Sequence, residues 1–129
     1  MKKSKNSAWQ RALLTSACAV MLMFLCSSCE KDDDDYDHDI PAGMGTLVID
    51  NRTYSDIYVY ISGREQEKVS SDDYEFYDRE PGTYRVALEE KHGDRAWFGD
   101  ADIIEGRKTV MKVYIGSRYD RYDVNWHID

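Results

Sequence analysis

The second half of the chain alternates apolar and polar residues with the two-residue period of β-strands. In the run Ile57–Ile61, aliphatic residues alternate with Tyr58 and Tyr60. Because successive side chains of a strand point to opposite faces, this run predicts one aliphatic face and one tyrosine face. The run Tyr122–Ile128 also has an apolar residue at every second position, which predicts a terminal strand within a sheet.

Further strands are predicted from shorter runs that are separated by turn-forming residues. These runs are 46–50, a weak strand at Val69, 74–77, 84–89, 96–104 with a glycine bulge at Gly99, and 111–115. Residues 64–68 have helical propensity but are too few to hold a helix alone. About seven short strands without a helix predict an all-β fold over residues 44–129, a small antiparallel β-sandwich of the transthyretin-like or immunoglobulin-like kind.

Three connections between these strands carry turn signals. Pro81 sets φ for the first central position of a turn and Gly82 supplies a positive φ at the second, which predicts a type II turn. Residues 91–94 predict a hairpin into the next strand, and residues 105–107 predict another turn.

Two of these segments resemble a known family. The V-x-I-x-G pattern at residues 59–63, followed by P-G-x-Y-x-V at residues 81–86, resembles PEGA-type and carboxypeptidase-regulatory-like modules. The likeness spans about residues 45–116. It implies a small transthyretin-like sandwich and a mostly non-catalytic role as part of an extracytoplasmic protein.

Residues 1–28 are predicted to be a targeting segment. Basic residues precede an apolar run at 12–25, and there is no acid among the first 28 residues. The run would span about 21 Å as a helix, which is too short to cross a bilayer comfortably. This favours a signal peptide over a retained membrane helix. Ser27 and Ser28 directly precede Cys29, where the segment resembles a bacterial lipoprotein signal. The resemblance implies cleavage before Cys29 and lipidation of its sulfur; an ordinary signal peptide with a soluble product is the alternative.

The residues that follow Cys29 are strongly acidic. This stretch resembles the export tag of surface lipoproteins from Bacteroidetes-type bacteria, which implies an outer-membrane, surface-exposed protein. Its residues are Glu30, Lys31, Asp32, Asp33, Asp34 and Asp35. Adjacent like charges repel, so residues 29–43 are predicted to be a flexible solvated tether that reaches at most about 50 Å.

Charge and cysteine content exclude several function classes. Removing residues 1–28 removes four of the 17 basic residues and none of the 25 acids, so the formal net charge changes from −8 to −12. Such a chain is not expected to bind nucleic acid or an anionic membrane surface through bulk charge. We expect it to be attached to the membrane through its lipid anchor instead. Cys18 and Cys26 leave with the signal, so no disulfide is predicted in the mature domain.

The sequence lacks the common catalytic and metal-binding motifs, so neither enzymatic activity nor a cofactor is predicted. No Gly-x-Ser-x-Gly, His-Glu-x-x-His or phosphate-binding glycine loop is present in the sequence. The aspartates of residues 32–39 with His38 could hold a cation, but they lack the glycine and the terminal glutamate of a calcium loop, so no metal site is predicted. His92 and His127 are predicted to be surface histidines.

Aromatic residues are the best indication of function. Tyr58, Tyr60 and Tyr114 are expected opposite the aliphatic faces, and Trp126 lies near the crowded chain end; these four residues form the candidate binding site. Strand preference alone also explains tyrosines at such positions. Trp97 and Phe98 are expected in the core.

These features predict a non-enzymatic envelope lipoprotein that binds glycan or protein. A structural accessory subunit of an outer-membrane or envelope complex is the alternative function.

Overall fold

The computed structural model describes residues 35–129, which form eight strands in two four-stranded sheets and contain no helix. The strands are β1 (Gly45–Asn51), β2 (Ile57–Ile61), β3 (Arg64–Glu65), β4 (Asp73–Arg79), β5 (Gly82–Glu90), β6 (Ala96–Ile103), β7 (Lys108–Ile115) and β8 (Tyr122–Ile128). Sheet A has the order β4-β1-β7-β8 and sheet B the order β3-β2-β5-β6. The predicted all-β sandwich is confirmed, with eight strands instead of about seven. This part of the chain has no helix of the length and apolarity that a membrane span requires.

The core lies between the two sheets and is built from alternate positions of their strands. Its fully buried members include Leu47, Ile49, Ile57, Val59, Val86, Leu88, Met111 and Val113. Each such side chain contributes about 1.5–3 kcal/mol by leaving water. The predicted aliphatic faces of β2 and β5 are therefore the faces that form the core.

Sheet A is mixed, because β1 and β7 run parallel while its other pairs are antiparallel. Both parallel strands begin at the same end of the sandwich, where the Gly106 amide donates to the Met44 carbonyl at 2.9 Å. Gly45 passes so close to Ile104 that a Cβ on Gly45 would overlap the Ile104 carbonyl oxygen. The chain crosses from sheet B to sheet A between β6 and β7, and this crossing aligns β7 with β1. The predicted antiparallel arrangement therefore holds for the other strand pairs but not for β1 with β7.

The eighth strand, β3, arises from a hairpin turn at Ser62 and Gly63. Both residues have positive φ, 51° and 77°, as in a type I′ turn, whose twist matches that of the strands it joins. Arg64 and Glu65 consequently pair with β2. The helical propensity of residues 64–68 has no effect on the fold, because this turn directs the chain back along β2. Val69 forms only an isolated bridge with Ile57.

The connection between β4 and β5 is a crossing from sheet A to sheet B, not the predicted type II turn. Gly82 has a φ of 158°, far from the value of about 80° that a type II turn requires, and it already pairs with Ile103. The Tyr84 hydroxyl donates to the Glu80 carbonyl at 2.7 Å and so holds the crossing in place. In contrast, the predicted hairpin at residues 91–94 is confirmed by the antiparallel pairing of β5 with β6.

Gly99 makes room for a side chain and is not a bulge. The pairing of β5 with β6 continues without interruption through Val86 and Gly99. A Cβ on Gly99 would overlap the ring of Trp97, which packs against the core from the same face of β6. The glycine therefore lets the Trp97 ring lie flat along its own strand.

The chain before β1 is attached to sheet A. The folded unit begins at Asp37. The His38 Nε2 donates to the Asp78 carboxylate at 2.8 Å, the Thr46 hydroxyl donates to the same oxygen at 2.6 Å, and the His38 ring stacks on Phe76 at 4.3 Å. From His38 onward, the segment predicted as a flexible tether is therefore held by β4. Residues 29–34, which include Cys29 and most of the predicted export tag, lie outside the described residues.

A buried amide organises the end of β1. Asn51 is fully buried, and its Nδ2 lies within hydrogen-bonding distance of the carbonyls of Ser55 (2.8 Å), Ser70 (3.0 Å) and Val69 (3.3 Å). Its Oδ1 accepts bonds from the Thr53 amide (3.0 Å) and the Thr53 hydroxyl (2.7 Å). One side chain thus joins the end of β1 to the loop before β2 and to the segment before β4.

We expect Asn51→Ala to lower the free energy of unfolding by about 1–3 kcal/mol, because it leaves buried carbonyl groups without donors. Asn51→Asp should destabilise similarly, because a carboxylate cannot donate to a carbonyl. The exposed Asn125→Ala is the matched control and should stay within about 0.5 kcal/mol of the natural chain. Urea denaturation measures all three, and an Asn51→Ala curve that overlays the natural one would contradict the assignment.

Asp78 should make stability depend on pH. Partial burial raises the pKa of its carboxyl, but hydrogen bonds from Thr46 and His38, with the charges of His38 and Arg79, lower it more, below the ordinary 3.8. The stabilisation is therefore complete above about pH 4 and is lost as the pH falls through the lowered pKa. Asp78→Asn should cost about 1 kcal/mol at neutral pH and should flatten the decline in unfolding free energy below pH 4. Parallel pH profiles of the two proteins would contradict this.

Candidate functional site: the outer face of sheet B

Aromatic side chains lie together on the face of sheet B that points away from the core. Tyr60 on β2 is directly opposite Ala87 on β5, and Ala87 is directly opposite Phe98 on β6. Directly opposite residues share a face of the sheet, so these three side chains form a row across adjacent strands. We call Tyr60, Ala87 and Phe98 the aromatic row; Tyr58 lies beside it, on the same face of β2.

The aromatic row has the shape of a shallow trough. Neighbouring strands are about 4.8 Å apart, so the backbone positions of Tyr60 and Phe98 are separated by roughly 9.6 Å, with only the Ala87 methyl group between them. Phe98 exposes 64% of its surface, and Tyr60 is half-buried. A flat ligand can therefore lie against two rings on a rigid sheet.

Carboxylates border the aromatic row. Glu65 pairs with Tyr60, and Glu89 pairs with Tyr58. Burial, and then the charges of Glu89, Glu65 and Tyr58, raise the pKa of the Tyr60 hydroxyl, which stays protonated and can donate a hydrogen bond. Arg85 on the same face is already paired with Asp100 at 2.9 Å. The face thus offers aromatic surface together with hydrogen-bond acceptors, and its charge opposes acidic ligands.

The structure separates the four residues that the sequence proposed as one site. Tyr58 and Tyr60 lie together, as expected. Tyr114 pairs with Asp123 on the outer face of sheet A, and Trp126 pairs with Met111 on the core-facing side of the edge strand β8, where 51% of its surface is exposed. These residues cannot form one flat binding site, because they lie on different surfaces of the sandwich.

Phe98 is the site residue that the sequence prediction missed. Trp97 packs against the core as expected, but Phe98 does not. Neighbouring residues of a strand point to opposite faces, so a pair of aromatics within β6 necessarily places one of them outward. The two-residue alternation of side chains along β6 was the signal that could have identified Phe98 as an outward-facing residue.

The described histidines have separate surroundings and do not form a cluster. His38 is bound to Asp78, His92 is exposed in the β5–β6 turn, and His127 is exposed on β8, 3.1 Å from Asp129. Within residues 35–129, no three His, Cys, Asp or Glu side chains are grouped so that they could hold a metal ion.

Comparison with known proteins supports the architecture. No family model matches the sequence, and no curated protein matches it significantly. A solved structure with a similar fold is the N-terminal domain of AlgF from P. aeruginosa, with a TM-score of 0.51 and 12% sequence identity over 69% of this chain and 99% of that one. At this level of identity the likeness shows the fold alone.

Proposed function

We propose that the chain is a non-enzymatic lipoprotein of the cell envelope whose aromatic row binds neutral glycans. The exposure of Phe98 in register with Tyr60 carries this proposal. Apolar residues that adjoin one another on one exposed face, as Tyr60, Ala87 and Phe98 do, are a feature of interaction sites. Tyrosine and phenylalanine provide rigid contact area with little loss of side-chain entropy.

A neutral sugar matches the chemistry of this face. The apolar faces of sugar rings stack on aromatic rings, while their hydroxyl groups donate hydrogen bonds to carboxylates such as Glu65 and Glu89. An acidic polymer would be repelled by the same carboxylates, and the chain as a whole is also negatively charged.

The direction from which the chain enters the fold is compatible with a membrane anchor. His38 is bound along the outer face of sheet A, through Asp78 and Phe76. The aromatic row lies on the opposite side of the sandwich, on sheet B. The described start of the folded unit, at His38, therefore does not cover this row.

The alternative function is that of an accessory subunit in an envelope complex. It is favoured by β8, whose outer edge is unpaired within the described part of the chain and which carries the half-exposed Trp126. Crosslinking on intact cells would then recover one stoichiometric protein partner, and the purified chain would bind no glycan.

We expect Tyr60→Ala combined with Phe98→Ala to weaken binding to soluble neutral polysaccharides at least fivefold, because the loss of two stacked rings costs about 1–3 kcal/mol. Affinity electrophoresis and a glycan array measure this effect. Tyr114→Ala, on the outer face of sheet A, is the matched control and should bind normally. Thermal melts would verify that each variant folds, and unchanged binding by the folded double variant would refute this site.

We expect labelled palmitate to be incorporated by the natural chain and by Cys26→Ala but not by Cys29→Ala. The two cysteines lie three residues apart, and only Cys29 follows the small residues Ser27 and Ser28. Equal labelling of both variants would contradict lipidation at Cys29.

A further inference from the structure

A second candidate site lies at one open edge of the sandwich, where the β2–β3 hairpin of sheet B approaches β4 of sheet A. A cavity of about 500 Å³ opens there. It is lined by Ile61, Ser62, Arg64, Gln66, Arg79 and Tyr84. Its volume lies within the range of small-molecule sites, about 300–1,000 Å³. We call it the arginine cavity.

The two arginines reach this cavity from the core-facing sides of edge strands. Arg64 is directly opposite Ile61, whose side chain is buried in the core, so both project from the same face of sheet B. Arg79 lies two residues after the buried Tyr77 and projects from the same face of β4. At these positions the alternation of the strands would favour apolar residues, and the chain places two cations there instead.

The groups that hydrogen-bond the Arg79 guanidinium are neutral. Arg79 donates through Nη2 to the Gln66 amide oxygen at 2.6 Å and through Nη1 to the Asp78 carbonyl at 2.7 Å. Gln66 in turn donates through Nε2 to the Arg64 carbonyl at 3.0 Å. Arg64 itself is exposed.

Three other arginines of the described region are paired with carboxylates. Arg52, Arg85 and Arg95 each lie within 3.1 Å of an Asp or Glu oxygen. No such ion pair at 4 Å or less joins Arg64 or Arg79 to another described residue. In a chain with 25 acidic residues and 17 basic ones, two cations in one cavity without a carboxylate form a locally positive site.

We propose that the arginine cavity binds a small ligand through a carboxylate group. The planar guanidinium group presents paired donors that match the two oxygens of a carboxylate. The Ser62 hydroxyl can add a further donor, and the Ile61 and Tyr84 side chains provide apolar walls. This site is separate from the aromatic row and goes beyond the proposed glycan binding: Arg64 and Glu65 are neighbours in β3, but they project from opposite faces.

NMR titration of the ¹⁵N-labelled full chain with acetate and with its neutral isostere acetamide, at constant ionic strength, tests this proposal. A larger matched pair, glucuronate and glucose, tests whether a ring attached to the carboxylate strengthens binding. We expect saturable shifts at Ser62, Gln66 and the arginine side chains with the two acids only. Equal shifts with acetate and acetamide would overturn the proposal.

Single substitutions test whether acetate binds in the arginine cavity. Arg64→Gln changes an exposed side chain and should raise the acetate Kd at least fivefold with no loss of fold. Arg85→Gln, whose arginine is already paired with Asp100, is the matched control and should bind acetate normally. The proposal would be overturned if Arg64→Gln bound acetate with the same Kd as the natural chain.

The two binding proposals can be refuted independently of each other. The Tyr60→Ala and Phe98→Ala double variant should keep its acetate affinity, whereas Arg64→Gln should keep its affinity for neutral polysaccharide. Loss of acetate binding in the folded aromatic double variant would contradict two separate sites.

Discussion

The buried amide of Asn51 fixes how the strands of the two sheets are connected. β1 is an inner strand of sheet A, and Asn51 fixes its end to the loop that leads into β2 of sheet B and to the segment that precedes β4. A buried polar group must be satisfied inside the protein, so these connections can follow only the paths that bring their carbonyls to Asn51. Tyr77 reinforces the same arrangement through its hydroxyl, which donates to the Glu67 carbonyl at 2.6 Å. The two sheets are thereby joined through polar contacts as well as through the apolar core.

Once the sheets are held in this way, the position of each aromatic side chain follows from its neighbours in the same strand. Gly99 lacks a side chain, which leaves space for the Trp97 ring on the core side of β6. Phe98, between them, must then point to solvent. Antiparallel pairing through Ala87 brings it into line with Tyr60. The aromatic row is thus a consequence of filling the core, and the small Ala87 side chain keeps the space between the two rings open.

The two proposed sites differ in charge although they share the β2–β3 hairpin. On the outer face of sheet B, carboxylates surround aromatic rings, whereas at the open edge two arginines share a cavity with neutral partners. The positive φ values of Ser62 and Gly63 allow the tight turn that gives β3 its place beside β2. Because successive residues of β3 face opposite ways, Arg64 and Glu65 contribute to separate surfaces. A sandwich of this size can therefore present a neutral-ligand face and an anion-binding edge without mixing their charges.

Local sequence patterns were sufficient to predict the all-β class, seven of the eight strand positions, the aliphatic faces of β2 and β5 and the hairpin between β5 and β6. These features depend on alternation and turn residues that are close together in the chain. The parallel pairing of β1 with β7, the sheet crossing at Gly82 and the distribution of the aromatic residues became known only from the folded chain. In it Tyr60 is grouped with Phe98, whereas Tyr114 and Trp126 lie on other surfaces. Each of these depends on which strands become neighbours. Strand order is determined by contacts between residues far apart in sequence, such as those of Asn51 with Ser70. It therefore cannot be predicted from a local sequence pattern.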